Sequence, residues 1–162
     1  MIVVADASPL RYLILIEHAH VLSDLYGNVV APPAVLQELD QERTPDLVRR
    51  WLAHRPEWLH VRAPQQPLAS LRGVLGPGER EAIALAAELS ADALLMDDRD
   101  GRREAEKLKL PVLGTLRVLA DAAEHGFADL ALALDRLRQT NFRASEQLIQ
   151  RLLDRNRRST SG

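Results

Sequence analysis

Acidic side chains stand where the predicted strands of this chain end or where its helices begin. Asp6 follows the β-branched run Ile2 to Ala5, and Asp97 and Asp98 follow the apolar run Ala93 to Met96. Glu79 falls in the first turn of the helix leading into the second of those runs and shares a face with Ile83 and Ala87. Glu38 lies on a helix after the strand Val29 to Ala31, three residues beyond Val35 on the same side. Ligands of an open α/β sheet bind beyond the carboxyl ends of its strands, so acids from four distant segments are expected to meet at one mouth. Mutual repulsion there raises their pKa values unless a cation neutralises them. Oxygen ligation with no cysteine and no paired histidines suits Mg²⁺ or Mn²⁺ rather than Zn²⁺. Such ions polarise a phosphoryl oxygen and lower the pKa of bound water, which is the chemistry of a phosphodiester hydrolase.

Each acid also has a purely structural reading. Glu79 suits the positive end of a helix dipole, and Glu38 reads as a solvated helix residue. Asp97-Asp98-Arg99-Asp100 reads as a solvated turn with an N-cap. Asp6 can cap the helix that follows it, yet an acid directly after a buried strand is costly unless it is paired, hydrogen-bonded or metal-bound. The constellation therefore says more than any member.

Composition narrows the classes further. The chain has 162 residues, 46% hydrophobic and 27% charged, with no cysteine, which suits one globular domain over 1–162 without disulfides or thiolate metal sites. No apolar run approaches the roughly 18 residues a membrane span needs. The start, MIVVADASPL, has no basic segment and meets an acid at once, so a cytoplasmic protein is expected. No G-x-S-x-G elbow, H-E-x-x-H pattern or phosphate-binding Gly-Lys-Ser/Thr occurs. His18 and His20, two apart, read as surface or packing residues, and Trp51 and Trp58 as packing anchors. A receiver-like phosphoacceptor is disfavoured because Lys107 and Lys109 are the only lysines.

The elements that must position these acids alternate. Ser8-Pro9 reads as an N-cap followed by proline at the first helical position, and a short helix over Val21 to Tyr26 is broken by Gly27-Asn28. Pro32-Pro33 open a helix, another spans Asp46 to about His54, and Trp58 to Arg62 alternates like a strand. Ala63 to Gly78 is the one long irregular connection. Then come a helix over Glu79 to Leu89, the strand Ala93 to Met96, a helix over Arg102 to Leu108, a strand over Pro111 to Leu113 and a helix over Leu116 to Glu124. Helices over about Ala128 to Arg138 and Glu146 to Arg157 close the chain before a frayed Ser-Thr-Ser-Gly tail. Strands alternating with helices predict a mostly parallel sheet covered on both faces.

The pieces VVADASPLRYL, PPAVLQEL, LGPGEREAIALA and ALLMDDRDGRREAEKLKLPVLGTLRVL occur in an order that resembles the PIN-domain ribonucleases, and among them the VapC-like bacterial and archaeal subfamily, over roughly residues 2–120. The resemblance implies a three-layer α/β/α sandwich and Mg²⁺- or Mn²⁺-dependent endonuclease activity on RNA leaving 5′-phosphate and 3′-hydroxyl ends. It further implies a toxin role with inhibition by a small cognate antitoxin, and a homodimer. Asp6 then matches the first metal-binding acid, Ser8 the polar residue beside it, Glu38 the second acid and Glu79 the third. The fourth is Asp97 or Asp98, both of which stay open. Met96 stands where the family usually has a hydroxyl residue, and Thr115 is mainly a helix cap with a secondary place in the site. The alternative is a non-catalytic member of the same fold that binds RNA or protein.

The formal net charge of −2 hides a division. Residues 1–135 hold 14 Lys and Arg against 21 Asp and Glu, whereas residues 136–162 hold 7 against 2. An acidic body fits a cation site, and the Arg-rich end reads either as a contact for a polyanion or as a solvated terminal helix.

Overall fold

The computed structural model of the chain describes residues 1–66, 71, 73 and 75–161. Five short strands, β1 (Val3–Ala5), β2 (Val29–Ala31), β3 (Leu59–Val61), β4 (Ala93–Leu95) and β5 (Val112–Leu113), form one sheet. Every pairing is parallel and the order is β3-β2-β1-β4-β5. Among the described residues nine helices supply the crossovers and the closing segment. They are α1 (Ala7–Leu15), α2 (Val21–Tyr26), α3 (Pro33–Leu39), α4 (Asp46–Ala53), α5 (Pro77–Glu88), α6 (Arg99–Lys107), α7 (Thr115–Glu124), α8 (Leu130–Arg138) and α9 (Glu146–Ser161). The expected α/β/α class is the one observed.

Parallel strands need helical crossovers, and these bury both faces of the sheet. All residues of β1 and β4 are buried accordingly. Helices α3 and α6 pack against α5, while α2, α8 and α9 pack against α7. One apolar core joins the strands to α1, α5, α7 and α8 and takes in Ile149 of α9. Trp51 and Trp58 lie with ring centroids 5.8 Å apart and pack against that core, as anchors do.

The strand order positions the site. From β1 the chain winds outward through β2 to β3, then returns to the other side of β1 for β4 and β5. Strands β1 and β4 are thus neighbours, paired Val3 to Ala93, Val4 to Leu94 and Ala5 to Leu95. Winding reverses here, and helices leave on opposite sides, opening a crevice at the carboxyl ends. The Asp6 N–H continues the ladder by donating to the Leu95 carbonyl at 2.9 Å, so both strands deliver their next residues to this crevice.

Several element boundaries differ from the sequence expectation. Helix α1 begins at Ala7 with Asp6 at the N-cap position, so Ser8 is not the cap and its hydroxyl is free for a long-range partner. Helix α6 begins at Arg99 rather than Arg102, because the Asp98 side chain accepts the Gly101 N–H at 2.7 Å and nucleates the turn earlier. Pro77 at the first helical position starts α5 two residues before Glu79. Helix α9 continues to Ser161, so Ser159, Thr160 and Ser161 are helical rather than frayed. His18 and His20 are not on one helix but flank a turn, with ring centroids 5.9 Å apart. Residues 67–70, 72 and 74 of the irregular connection, and residue 162, lie outside the described residues.

Candidate active site

A cleft of about 830 Å³ opens at the crevice, and Asp6, Ser8, Glu38, Glu79, Asp97 and Asp98 all line it. Thr115 is buried beneath the same mouth at the start of α7. Four separated segments thus bring the predicted acids to one place. They are neighbours around an open cleft rather than a closed shell: among the described residues no three acid or histidine side chains stand close enough to form a ready cation cage.

Asp6 is the most perturbed member. Its side chain is 3% exposed, and Oδ1 is buried without a hydrogen-bond partner. Burial pushes its carboxyl from 3.8 up to about 7; the Ala7 N–H opposes this, and the charges of Glu79, Glu38 and Asp98 add to it. Glu38 is raised as well, first by burial and then by Glu79, with the Arg11 guanidinium pulling the other way. Gly78, in the first turn of α5, lets α3 and α5 approach. A Cβ there would stand 2.6 Å from Glu38 Oε2 and 3.8 Å from Asp6 Oδ1. Glu79 curls back over Gly76, whose added Cβ would lie 2.8 Å from its Oε2.

Asp97 and Asp98 have different partners. Asp97 Oδ1 accepts the Thr115 N–H at 2.7 Å, and Oδ2 accepts the Thr115 hydroxyl at 2.7 Å and the Ser8 hydroxyl at 2.9 Å. This carboxylate therefore clamps the N-termini of α1 and α7 together at the end of β4, a favourable place for an anion. Asp98 gives one oxygen to its own helix and contributes charge at Asp6. Met96 does not face the cleft. It is fully buried, and its Sδ would lie 2.5 Å from a Cβ placed on Gly101, so packing rather than water or substrate contact explains it.

Three groups escaped the sequence reading. Glu81 of α5 accepts the Ala34 N–H at 2.9 Å, capping α3 across space where Pro32 has no side chain to do so. Its spacing carries no signal for this. The Tyr12 hydroxyl donates to Asn141 Oδ1 at 2.7 Å while Phe142 meets the Tyr12 ring edge-on at 4.9 Å, so the α8–α9 connection forms a wall of the cleft. Arg102 also lines the cleft. Its one available signal is position, one helical turn after Asp98 and hence on the same face.

A parallel doubly wound sheet with carboxylates around its switch point defines an α/β domain built to gather acidic side chains. The profile of the PIN-domain family DUF3368 matches residues 2–158, and the chain belongs to that family. The match extends through α8 and α9, beyond the motifs quoted above. PIN domains are generally of nuclease type. No curated protein matches the chain at a significant level. Among solved structures it is similar to a PilT N-terminus domain protein from the hyperthermophilic archaeon Sulfolobus solfataricus P2. Identity there is 23%, with 75% of this chain and 93% of that one covered at a TM-score of 0.55. That likeness concerns the fold. Among the described residues no helix is long and apolar enough to cross a membrane.

Proposed function

We propose that the chain is a Mg²⁺- or Mn²⁺-dependent endoribonuclease that hydrolyses RNA phosphodiester bonds, and that it acts as the toxin of a toxin-antitoxin pair. The observation that carries the catalytic part is Asp6, a buried carboxylate with an unpartnered oxygen, set among other acids at an open cleft. At neutral pH such a group calls for a proton or a cation, and an all-oxygen donor set fits Mg²⁺ or Mn²⁺. Asp6, Glu38 and Glu79 with Asp97 or Asp98 would hold the ion, directly or through waters. A divalent cation bound there supplies an activated water and offsets charge on the phosphate oxygens. The chain's own residues prepare the rest. Asp97 fixes the Ser8 and Thr115 hydroxyls and so locks the two helix starts that border the cleft. Gly78 leaves room for Glu38 to reach over α5 toward Asp6.

Purified protein with Mn²⁺ is expected to cut a labelled RNA internally, leaving 5′-phosphates, and to stop in EDTA. Asp6→Asn is expected to reduce cleavage to background, and undiminished cutting by that variant overturns the assignment. For the toxin part, expression should arrest growth with the wild type and not with Asp6→Asn, with relief by a small protein encoded immediately upstream.

A second reading, a non-catalytic nucleic-acid- or protein-binding module, is favoured by two observations. No three acids are preassembled among the described residues, and Asp98 already spends an oxygen on Gly101. Calorimetry showing no Mn²⁺ uptake by a protein that still binds RNA selects this reading.

A further inference from the structure

Arg102 is a charged group beside the acids for which the hydrolytic steps above have no use. It sits on α6 with its side chain only partly exposed. Its backbone N–H donates to the Asp98 carbonyl at 2.9 Å, while among the described residues its guanidinium makes no hydrogen bond or ion pair. The neighbouring carboxylate is already engaged, since Asp97 takes the Thr115 N–H and two hydroxyls. Gly114 keeps the space between them open: a Cβ there would lie 3.0 Å from Asp97 Oδ1 and 3.1 Å from Arg102 Nη1. By contrast Arg117, which lines the same cleft, is held by Asp121 at 2.9 Å.

A guanidinium is always charged, and one that is half-withdrawn from water with no side-chain partner has donors left to offer an anionic ligand. Its planar fork fits a phosphate through two parallel N–H donors. The surroundings indicate a polymer rather than a free anion. Arg102 and Asp97 also line a second groove, of about 360 Å³, together with Arg99, Arg103 and Glu106. Arg102 and Asp97 belong to both the groove and the acid cleft, so a strand running from one to the other passes over Arg102, and three guanidiniums outnumber the carboxylates of Asp97 and Glu106 along the groove. A substrate that the carboxylates alone would repel is thereby offered a foothold.

We propose that Arg102 binds a backbone phosphate of the nucleic-acid substrate adjoining the bond that is cut, with the strand entering along the groove of Arg99 and Arg103. This rests on the nuclease reading above, and its test separates binding from cutting.

Full-length protein is titrated against a fluorescein-labelled single-stranded oligoribonucleotide in EDTA, where no cleavage occurs, over a range of salt. Arg102→Met is expected to weaken binding about tenfold and to lower the slope of log affinity against log salt by about 0.7, one phosphate contact on a single strand. Arg102→Lys keeps the slope and loses part of the affinity, since the charge stays and the fork goes. Arg50→Met, an equal loss of charge on exposed α4, leaves both unchanged. Wild-type affinity and slope in Arg102→Met overturn the contact, even if the enzyme cuts RNA in Mn²⁺. Loss of binding in Arg102→Met alongside a wild type that never cuts sustains the contact and overturns the nuclease reading alone.

Discussion

Asp6 shows how a single residue can be costly to the fold and central to the site. Its raised carboxyl makes an acid-side stability prediction with a defined sign. The folded value of about 7 lies above the unfolded 3.8, so between them the folded state keeps a proton that the unfolded state has lost. The associated stability is complete below pH 3.8 and gone above about pH 7, a difference of about 4 kcal/mol for a shift of this size. Urea unfolding in EDTA should therefore show the wild type losing stability between about pH 4 and 7 relative to Asp6→Asn, with saturating Mg²⁺ recovering it above that range. Parallel pH profiles for the two proteins would contradict the strain assigned to Asp6. At the neighbouring pair, Asp97→Asn loses its grip on two hydroxyls and should cost about 1–2 kcal/mol. Asp98→Asn keeps a good N-cap and removes only charge, so it should unfold like the wild type while binding Mn²⁺ more weakly. Chemical denaturation and calorimetry on the two variants assign the fourth acid: a fall in Mn²⁺ affinity only in Asp97→Asn would give it to Asp97.

At the scale of elements, α3 carries Glu38 to the cleft, and α5 holds α3 in place through Glu81. Glu81→Ala leaves the Ala34 N–H without its acceptor, with an expected loss of about 1–2 kcal/mol and a weaker Mn²⁺ affinity as Glu38 loses its fixed approach. Glu81→Gln retains an acceptor oxygen and should recover both. Unchanged Mn²⁺ affinity in Glu81→Ala would show that α3 is held by packing alone. Strands β1, β2 and β4 were legible because buried parallel strands are short apolar runs with an acid or a proline at the end. The starts of α1 and α6 were not. A serine before proline and an aspartate after a strand are both good caps, and which one is used depends on partners 89 residues away for Ser8 and three for Asp98.

For the molecule as a whole, charge is the property that folding reorganises. The acidic body gathers carboxylates at one crevice, while most of the Arg-rich end lies on α9, which packs against α7 and α8 and buries Ile149. Deleting that helix would expose core, so substitution is the cleaner probe. Arg151, Arg155 and Arg157 are exposed. If the basic end meets substrate, replacing these three by Gln should lower the salt slope of RNA binding by up to about 2 without changing thermal unfolding. A wild-type slope would leave α9 as a solvated helix that braces the cleft wall through Leu148 and Leu152.

The sequence by itself determined the class of fold and the separation of Asp6, Glu38 and Glu79 onto different elements. Burial periodicity and polar residues at strand ends are local properties, written in the order of residues. Tertiary structure alone decided that β4 lies beside β1, that Asp97 spans Ser8 and Thr115 whereas Asp98 caps its own helix, that Met96 turns into the core, and that the Arg102 guanidinium is left without a partner. Each of these depends on what another segment presents across a few ångströms, and spacing along the chain cannot encode which side of a turn faces the cleft. The switch in winding at β1 converts four unrelated acids into neighbours, and the burial of Asp6 among them makes it bid for a proton or a cation.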